Sequence, residues 1–363
     1  MVKTSEGTFA VDGQELYTKT WLPDGPPVAK LIVVHGFSDH VNNYVDFFPT
    51  LASRGIAVYG FDQRGWGRSV HKSSDKGRTG PTETVIGDIV AFIRPHLQPG
   101  GNDKNDKNDK NDDDGLPVFV LGHSMGGNEI ATLMAATLGS AHETAVVRHV
   151  RGWLLEAPFF GFPAGETPSA LKITAGRLAG RLLPHFQLKH VIPKPYLTRD
   201  PDILARLCED PLCHDTGTLE GLSGLLDRVN DIAQGRVRPT TSVKSVWLGH
   251  GDADRCTDFV ASKRWFDTAT AAVPDKTFRC YSGWLHMLHA EPKAERELFY
   301  RECGDWILER AGHNSLPAKA VDAPAAAAEP RAAAISTPSE EDSAVIAPTV
   351  EANPKSSATE AKL

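Results

Sequence analysis

No stretch of this 363-residue sequence strings together enough apolar residues to cross a bilayer, which takes about 20 in a helix. The opening residues, MVKTSEGTFAVDG, lack the apolar core of a secretory signal peptide. Cysteine is scarce. The five (Cys208, Cys213, Cys256, Cys280, Cys303) are odd in number and irregularly spaced, which fits reduced thiols inside a cell better than a disulfide framework. The nearest pair, Cys208 and Cys213, has no second pair to complete a zinc site. Positive charge is not in excess either: the formal net charge is −7, so the overall balance gives no footprint for nucleic acid. What is present, 40% hydrophobic residues with 25 prolines and 32 glycines, is the composition of an ordinary soluble globular protein with a substantial core.

Two segments lack anything to bury. Residues 102–114, NDKNDKNDKNDDD, repeat a polar triplet and read as a solvated, disordered loop insertion, because burial cannot offset the entropy of ordering them. A calcium loop is excluded by the missing central glycine and terminal glutamate. Residues 314–363 are rich in Ala, Pro, Ser and Thr and have no aromatic residue, the signature of a disordered tail.

Between these, residues 1–313 carry an α/β pattern. TFAVDGQELYTKTWLP alternates around Asp12-Gly13, a strong signal for an antiparallel hairpin. Short apolar runs of the buried, parallel type follow at 30–36, 56–62, 116–124, 152–158, 243–251 and 277–282. Helical stretches alternate with them at 43–54, 83–97, 127–138, 258–272 and 291–310. This predicts a mostly parallel central sheet covered by helices. The rhythm breaks between Glu156 and Val243 for longer than one crossover allows. The predicted organisation is therefore a core in two parts, 1–158 and 241–313, with an inserted helical subdomain at 159–240. Within the insert, Thr167 to Arg199 carries Lys172, Arg177, Arg181, Lys189, Lys194 and Arg199 and no acidic residue. Leu171, Leu178 and Leu182 recur there at roughly helical spacing. Two readings stand side by side: a helix docked on the core with its charges outward, and an apolar, basic surface that meets lipid.

One turn carries the chemistry. LGHSMGG (121–127) follows the apolar run PVFVL and precedes the helical NEIATLMAATL. Gly122 to Gly126 fits G-x-S-x-G in the strand–turn–helix setting that makes a nucleophile elbow. Such a turn strains the serine backbone, lifts Oγ of Ser124 above the sheet, and puts it at a helix N-terminus where developing negative charge is stabilised. An acyl-transfer serine needs two N–H donors for its oxyanion. Met125, directly after the serine, offers one, and Phe37, in VVHGFSDH after an early strand, offers the other.

The serine also needs a base and an acid to orient it, in chain order Ser, Asp or Glu, His. After the strand VKSVWL, GHGDADRCTDF supplies Asp252, Asp254 and Asp258. Asp258 suits a helix N-cap and Asp252 suits turn chemistry. Asp254 lies where a carboxylate can reach the next loop and is the favoured acid. That loop, YSGWLHMLHAE (281–291), holds two histidines three positions apart, His286 and His289. A metal pair lacks a third ligand there, and His286, nearer the strand end, is better placed as the base.

With these motifs in hand, the chain resembles the monoglyceride lipases (monoacylglycerol lipases) of the serine α/β-hydrolase family, the fungal and animal kind. The resemblance covers most of residues 15–310. It rests on His35 to His40, GFDQRGWGRS (60–69), GHSMGG (122–127), DPL (210–212), GDADR (251–255) and HMLHAE (286–291). It implies an α/β-hydrolase fold with a cap over an apolar acyl channel. It also implies a catalytic triad of Ser124, Asp254 and His286, and an oxyanion hole at Phe37 and Met125. Asp62 and Arg64, in the widely shared FDQRGWGRS, are read as structural. The second histidine, His289, and Asp39 are implied contacts for glycerol hydroxyls. One departure is Asn43, where animal enzymes tend to carry an arginine.

The implied reaction is hydrolysis of a monoacylglycerol to fatty acid and glycerol through an acyl-enzyme, with no metal or organic cofactor. The rivals are another lipid ester, such as a lysophospholipid or fatty-acid ethyl ester, and acyl transfer to an alcohol. A dehalogenase or epoxide hydrolase would need Asp in place of Ser124. Binding modules of this fold typically lose a triad member. The expected setting is the cytoplasm, with peripheral contact to a membrane or lipid droplet through the cap. Ala361-Lys362-Leu363 differs from a peroxisomal S-K-L signal at its first residue.

Overall fold

A computed structural model of the chain describes residues 1–97, 115–137, 139–163, 165–166 and 169–313. The NDK repeat and Ala361-Lys362-Leu363 lie outside the described residues. In chain order the elements are β1 (Lys3–Val11), β2 (Gln14–Leu22), β3 (Ala29–Val34), α1 (Phe47–Ser53), β4 (Ile56–Phe61), α2 (Thr82–Ile93), β5 (Val118–His123), α3 (Met125–Met134) and the single turn α4 (Ser140–His142). There follow β6 (Gly152–Glu156), α5 (Ala170–Leu182), β7 (Gln187–Lys189), α6 (Pro201–Glu209), β8 (Thr216–Thr218) and α7 (Leu219–Ala233). The described chain closes with β9 (Ser245–Gly251), α8 (Phe259–Ala269), β10 (Asp275–Tyr281) and α9 (Lys293–Arg310).

The central sheet runs β1-β2-β4-β3-β5-β6-β9-β10. Its β1–β2 and β2–β4 pairs are antiparallel and the rest parallel. The hairpin turns at Asp12 and Gly13, whose φ values of 47° and 69° are the left-handed pair such a turn requires. Strands β3, β5, β6 and β9 are buried along their whole length. That explains why their sequences read as unbroken apolar runs. On one sheet face α2, α3 and α8 pack through Ile86, Ile89, Ile130, Leu133 and Trp265. On the other, α1 and α9 pack through Phe47, Leu51, Phe299 and Ile307. The C-terminal ends of the parallel strands share one edge, the general location of ligand sites in such sheets.

The helix predicted over 43–54 differs from the observed one. Residues 41–43 form a separate 3-10 turn, and α1 begins at Phe47. The N–H of Val41 is committed to the Asp62 carboxylate at 2.9 Å, and Val45 has φ 47°, which interrupts any continuous helix.

The segment between β6 and β9 folds as α5, α6 and α7 with the small β7–β8 sheet. Thr167 and Pro168 are outside the described residues, but α5 forms where helical spacing predicted it. Two of its leucines do not dock: Leu178 is 61% and Leu182 76% exposed. Leu183, Phe186 and Val191 are exposed beside them. The α7 helix is tied to the core. The fully buried guanidinium of Arg228 reaches Asn128 Oδ1 at 2.8 Å and Thr82 Oγ1 at 3.1 Å, and pairs with Glu129 at 3.4 Å.

Burial drives Glu129 from 4.5 up to about 7, against the opposing pull of Arg228 and a Gln63 hydrogen bond. The folded protein therefore keeps this proton through a range in which the unfolded chain has lost it. Stability falls as pH rises through that window. A Glu129→Gln variant lacks the titration. The stability of the wild type relative to the variant should drop by roughly 3 kcal/mol between pH 4.5 and 7, read by urea denaturation at both ends.

Candidate active site

Ser124 sits between β5 and α3 with φ 53° and ψ −115°, a conformation that costs a non-glycine residue about 1–3 kcal/mol. The sequence tolerates it because its neighbours lack side chains. A Cβ on Gly122 would lie 2.5 Å from the Gly126 carbonyl, and one on Gly126 would lie 2.2 Å from the Val34 carbonyl. The turn is pinned by the Ser124 N–H donating to the Glu156 carbonyl at 2.9 Å. The Ser124 carbonyl accepts from Phe159 at 2.9 Å and from Asn128 at 3.2 Å.

The loop after β3 passes over this turn. A Cβ on Gly36 would meet the Ser124 Cβ at 3.1 Å, and Phe37 lines the same cavity as Ser124. Met125 is the first residue of α3, where backbone N–H groups have no partner inside the helix. The loop is held from beneath. His35 Nε2 accepts from the Gln63 N–H at 2.8 Å, and Gln63 Nε2 donates to the His35 carbonyl at 2.8 Å. Asp62 accepts from the N–H groups of Val41 and Arg68 at 2.9 and 2.7 Å, and Arg64 forks onto Asp88 at 2.8 and 3.0 Å. These contacts fit the structural reading of FDQRGWGRS.

His286 lines the same cavity as Ser124. Its Nδ1 lies 2.8 Å from Asp254 Oδ2, which leaves Nε2 for the serine side. The Asp254 side chain is fully buried and saturated. Oδ2 also meets His250 Nε2 at 3.0 Å and Thr257 Oγ1 at 2.7 Å, while Oδ1 accepts from the N–H groups of Cys256 and Thr257 at 2.7 and 3.1 Å. Burial opposes its charge. The positive charge of His286 and the hydrogen bonds from His250 and His286 outweigh that and hold the carboxyl far below the usual range. Of the other two acids, Asp258 does what its position suggested, whereas Asp252 crosses to the loop that carries His286 instead of serving its own turn. Asp258 caps α8 by accepting from Val260 at 2.8 Å. Asp252 accepts from the N–H of Gly283 at 2.6 Å and from Ser282 Oγ at 3.0 Å.

The two implied head-group residues part company. Asp39 lies on the cavity wall with Asn43, Lys194 and Asp215. It accepts from Asn43 Nδ2 at 2.9 Å and Tyr44 Oη at 3.2 Å. Burial opposes its ionisation too, but His35, His123 and His40 keep its pKa below the usual value. His289, by contrast, is fully buried and off the cavity wall, which corrects its assignment as a glycerol contact. Glu156 takes both its backbone N–H, at 3.0 Å, and its Nδ1, at 2.7 Å. Tyr44 stacks over its ring at 4.3 Å and so stands between it and Asp39. The overlooked signal was Glu156, a lone acid ending the apolar run GWLLE. His250 and Thr257 were missed as well, since nothing local marks them as partners of Asp254.

Among the described residues, three groups of side chains come close enough to share a cation: His40–Asp210–Cys213, His123–Glu156–His289 and Asp254–Cys256–His286. In the first and third the donors are already spent on one another, with His40 Nε2 on Asp210 at 2.8 Å and His286 Nδ1 on Asp254 at 2.8 Å.

A serine at a strained strand–helix turn, sharing its cavity with a histidine backed by a buried carboxylate, marks a serine hydrolase of the α/β-hydrolase class. Residues 25–293 match the Hydrolase_4 family, described as serine aminopeptidase, S33, and the chain belongs to that family. Within it the chain belongs with the monoglyceride lipases. It is 30% identical to the human monoglyceride lipase over 312 residues, 84% of this chain and 92% of that one. A Schizosaccharomyces pombe protein, described as a putative monoglyceride lipase, is 31% identical over 299 residues, 82% of this chain and 72% of its own length. A crystal structure of a soluble variant of the Saccharomyces cerevisiae monoglyceride lipase, in complex with a substrate analog, shares the fold. It has a TM-score of 0.69 at 17% identity, covering 85% of this chain and 97% of that one.

If Asp254 orients the base, Asp254→Asn should lower kcat on a soluble ester by about 10⁴-fold. Asp252→Asn, whose amide oxygen still accepts from the Gly283 N–H, should stay within about two-fold. Steady-state rates of the two variants check this, and equal losses would point away from Asp254.

Proposed function

We propose that the protein hydrolyses monoacylglycerols, releasing a fatty acid and glycerol. The observation that carries this reading is the placement of Ser124 and the Asp254-backed His286 on one cavity whose polar end is formed by Asp39, in a chain of the monoglyceride lipase family. His286 Nε2 takes the Ser124 proton as Oγ attacks the ester carbonyl, and the N–H groups of Phe37 and Met125 hold the oxyanion. Collapse of the tetrahedral adduct expels glycerol, which receives that proton from His286. Water then attacks the acyl-enzyme, with His286 acting again as base, and the fatty acid leaves. Asp39, kept ionised, accepts from a glycerol hydroxyl.

The cavity over Ser124 is walled on the cap side by Ile192, Lys194, Leu197, Leu207, Cys213 and Asp215. The stretch of the cap around Leu197 and Thr198 is bonded to the His286 loop, with Met287 N–H on the Leu197 carbonyl at 2.8 Å and Thr198 Oγ1 on the Ala290 carbonyl at 2.6 Å. On α5 and the stretch after it, Leu178, Leu182, Leu183 and Phe186 are exposed beside Arg181 and Lys189. This apolar and basic surface suits peripheral contact with a membrane or lipid droplet. Among the described residues, no helix is long and apolar enough to cross a membrane.

Ser124→Ala should abolish both ester hydrolysis and labelling by a fluorophosphonate, and a variant that keeps near wild-type activity would refute the mechanism. Rates across monoacylglycerols, lysophospholipids and fatty-acid ethyl esters test the substrate class, with the first expected to lead. Replacing Leu182 and Phe186 together by Glu should reduce co-flotation with anionic vesicles and hydrolysis of vesicle-borne substrate. Turnover of a soluble short-chain ester should persist.

A further inference from the structure

Glu156 ends β6, the strand beside the one that delivers the nucleophile, and it pairs in register with His123. Its backbone carbonyl accepts the Ser124 N–H at 2.9 Å. Its side chain accepts from the loop that carries the base, at His289 N–H and His289 Nδ1, at 3.0 and 2.7 Å. One fully buried residue thus touches the serine turn through its main chain and the His286 loop through its carboxylate. Burial opposes the charge on Glu156, but His289 and His123 outweigh it and hold the pKa below the ordinary value. In front of this pair lies the His123 ring, 4.8 Å from the His286 ring and 5.2 Å from that of His289, centre to centre. Burial keeps His123 neutral, with its pKa pushed down to about 4. Glu156, His289, His123 and His286 are all buried and packed one against the next, so a shift at the base of the stack moves the catalytic ring.

We propose that Glu156 is a positioning residue of the reaction. Its carboxylate, through His289, sets the distance between the His286 loop and the Ser124 turn and holds the two in reacting register. Other bonds also restrain the loop: Glu291 accepts from Leu285 N–H at 2.5 Å, and Tyr300 donates to the His289 carbonyl at 2.7 Å. These tie the loop to itself and to α9, and Asp252, Asp254 and the cap at Leu197 and Thr198 bond it as well. The two bonds from His289 differ in reaching Glu156, whose carbonyl also holds Ser124. Misplacement by about 1 Å in such a pair costs on the order of 10²-fold in rate. The effect belongs in kcat, because neither Glu156 nor His289 lies on the cavity wall.

The inference rests on the hydrolase reading, and one experiment separates the two. Fluorophosphonate titration counts competent active sites, and kcat per titrated site on a soluble p-nitrophenyl ester is then compared with KM. Wild type must label and Ser124→Ala must not; failure there refutes the reading of Ser124. All Glu156 variants should label to completion, more slowly. Glu156→Ala should lose about 10- to 100-fold in kcat per titrated site with KM within about three-fold. Glu156→Gln, whose amide oxygen still accepts from His289, should recover most of that loss. The double variant Glu156→Leu/His289→Leu removes both polar partners together, which leaves no unpaired buried carboxylate, and it should match the alanine variant. A purely structural role would lower the number of titrated sites and leave kcat per site unchanged. A wild-type kcat per titrated site in either Glu156→Ala or the double variant overturns the proposal.

Discussion

Ser124 is held at φ 53° by hydrogen bonds from both sides of its turn, and the rest of the site is arranged around that strained residue. The strain is tolerable only where backbone approaches backbone, so Gly122 and Gly126 are as necessary as the serine. Their missing side chains let the end of β3 and the turn of β5 pack directly against the start of α3. A parallel sheet supplies the remaining geometry, since β3, β5, β6 and β9 all deliver their C-terminal ends to one edge.

Charge in this site is managed by pairing rather than by solvent. Asp254, Asp39 and Glu156 are all buried carboxylates, and each stays ionised because histidines and hydrogen-bond donors outweigh the cost of burial. Glu129 shows the other outcome. Its partners are the Arg228 guanidinium at 3.4 Å and a Gln63 hydrogen bond, and burial outweighs both, so its pKa rises.

The cap joins the core in two different ways. Its Leu197–Arg199 stretch and α7 are bonded to the His286 loop and to α3, whereas α5 turns apolar side chains outward.

Much of this was legible in the sequence because it depends on local order. Hairpin, buried strands, elbow and the loops after β9 and β10 follow from residue type and spacing, and they located Ser124, Asp254 and His286 at strand ends. Asp258 could be set aside on capping alone. What only the tertiary structure decided are the partners that no spacing encodes. Glu156 lies far from His289 in the chain, and helical spacing could not say that Leu178 and Leu182 face outward. Whether His289 meets substrate or a buried carboxylate depends on which side chain from a neighbouring strand reaches it first. Local periodicity places a residue on an element, whereas its function is set by what the packed elements bring within about 3 Å of it.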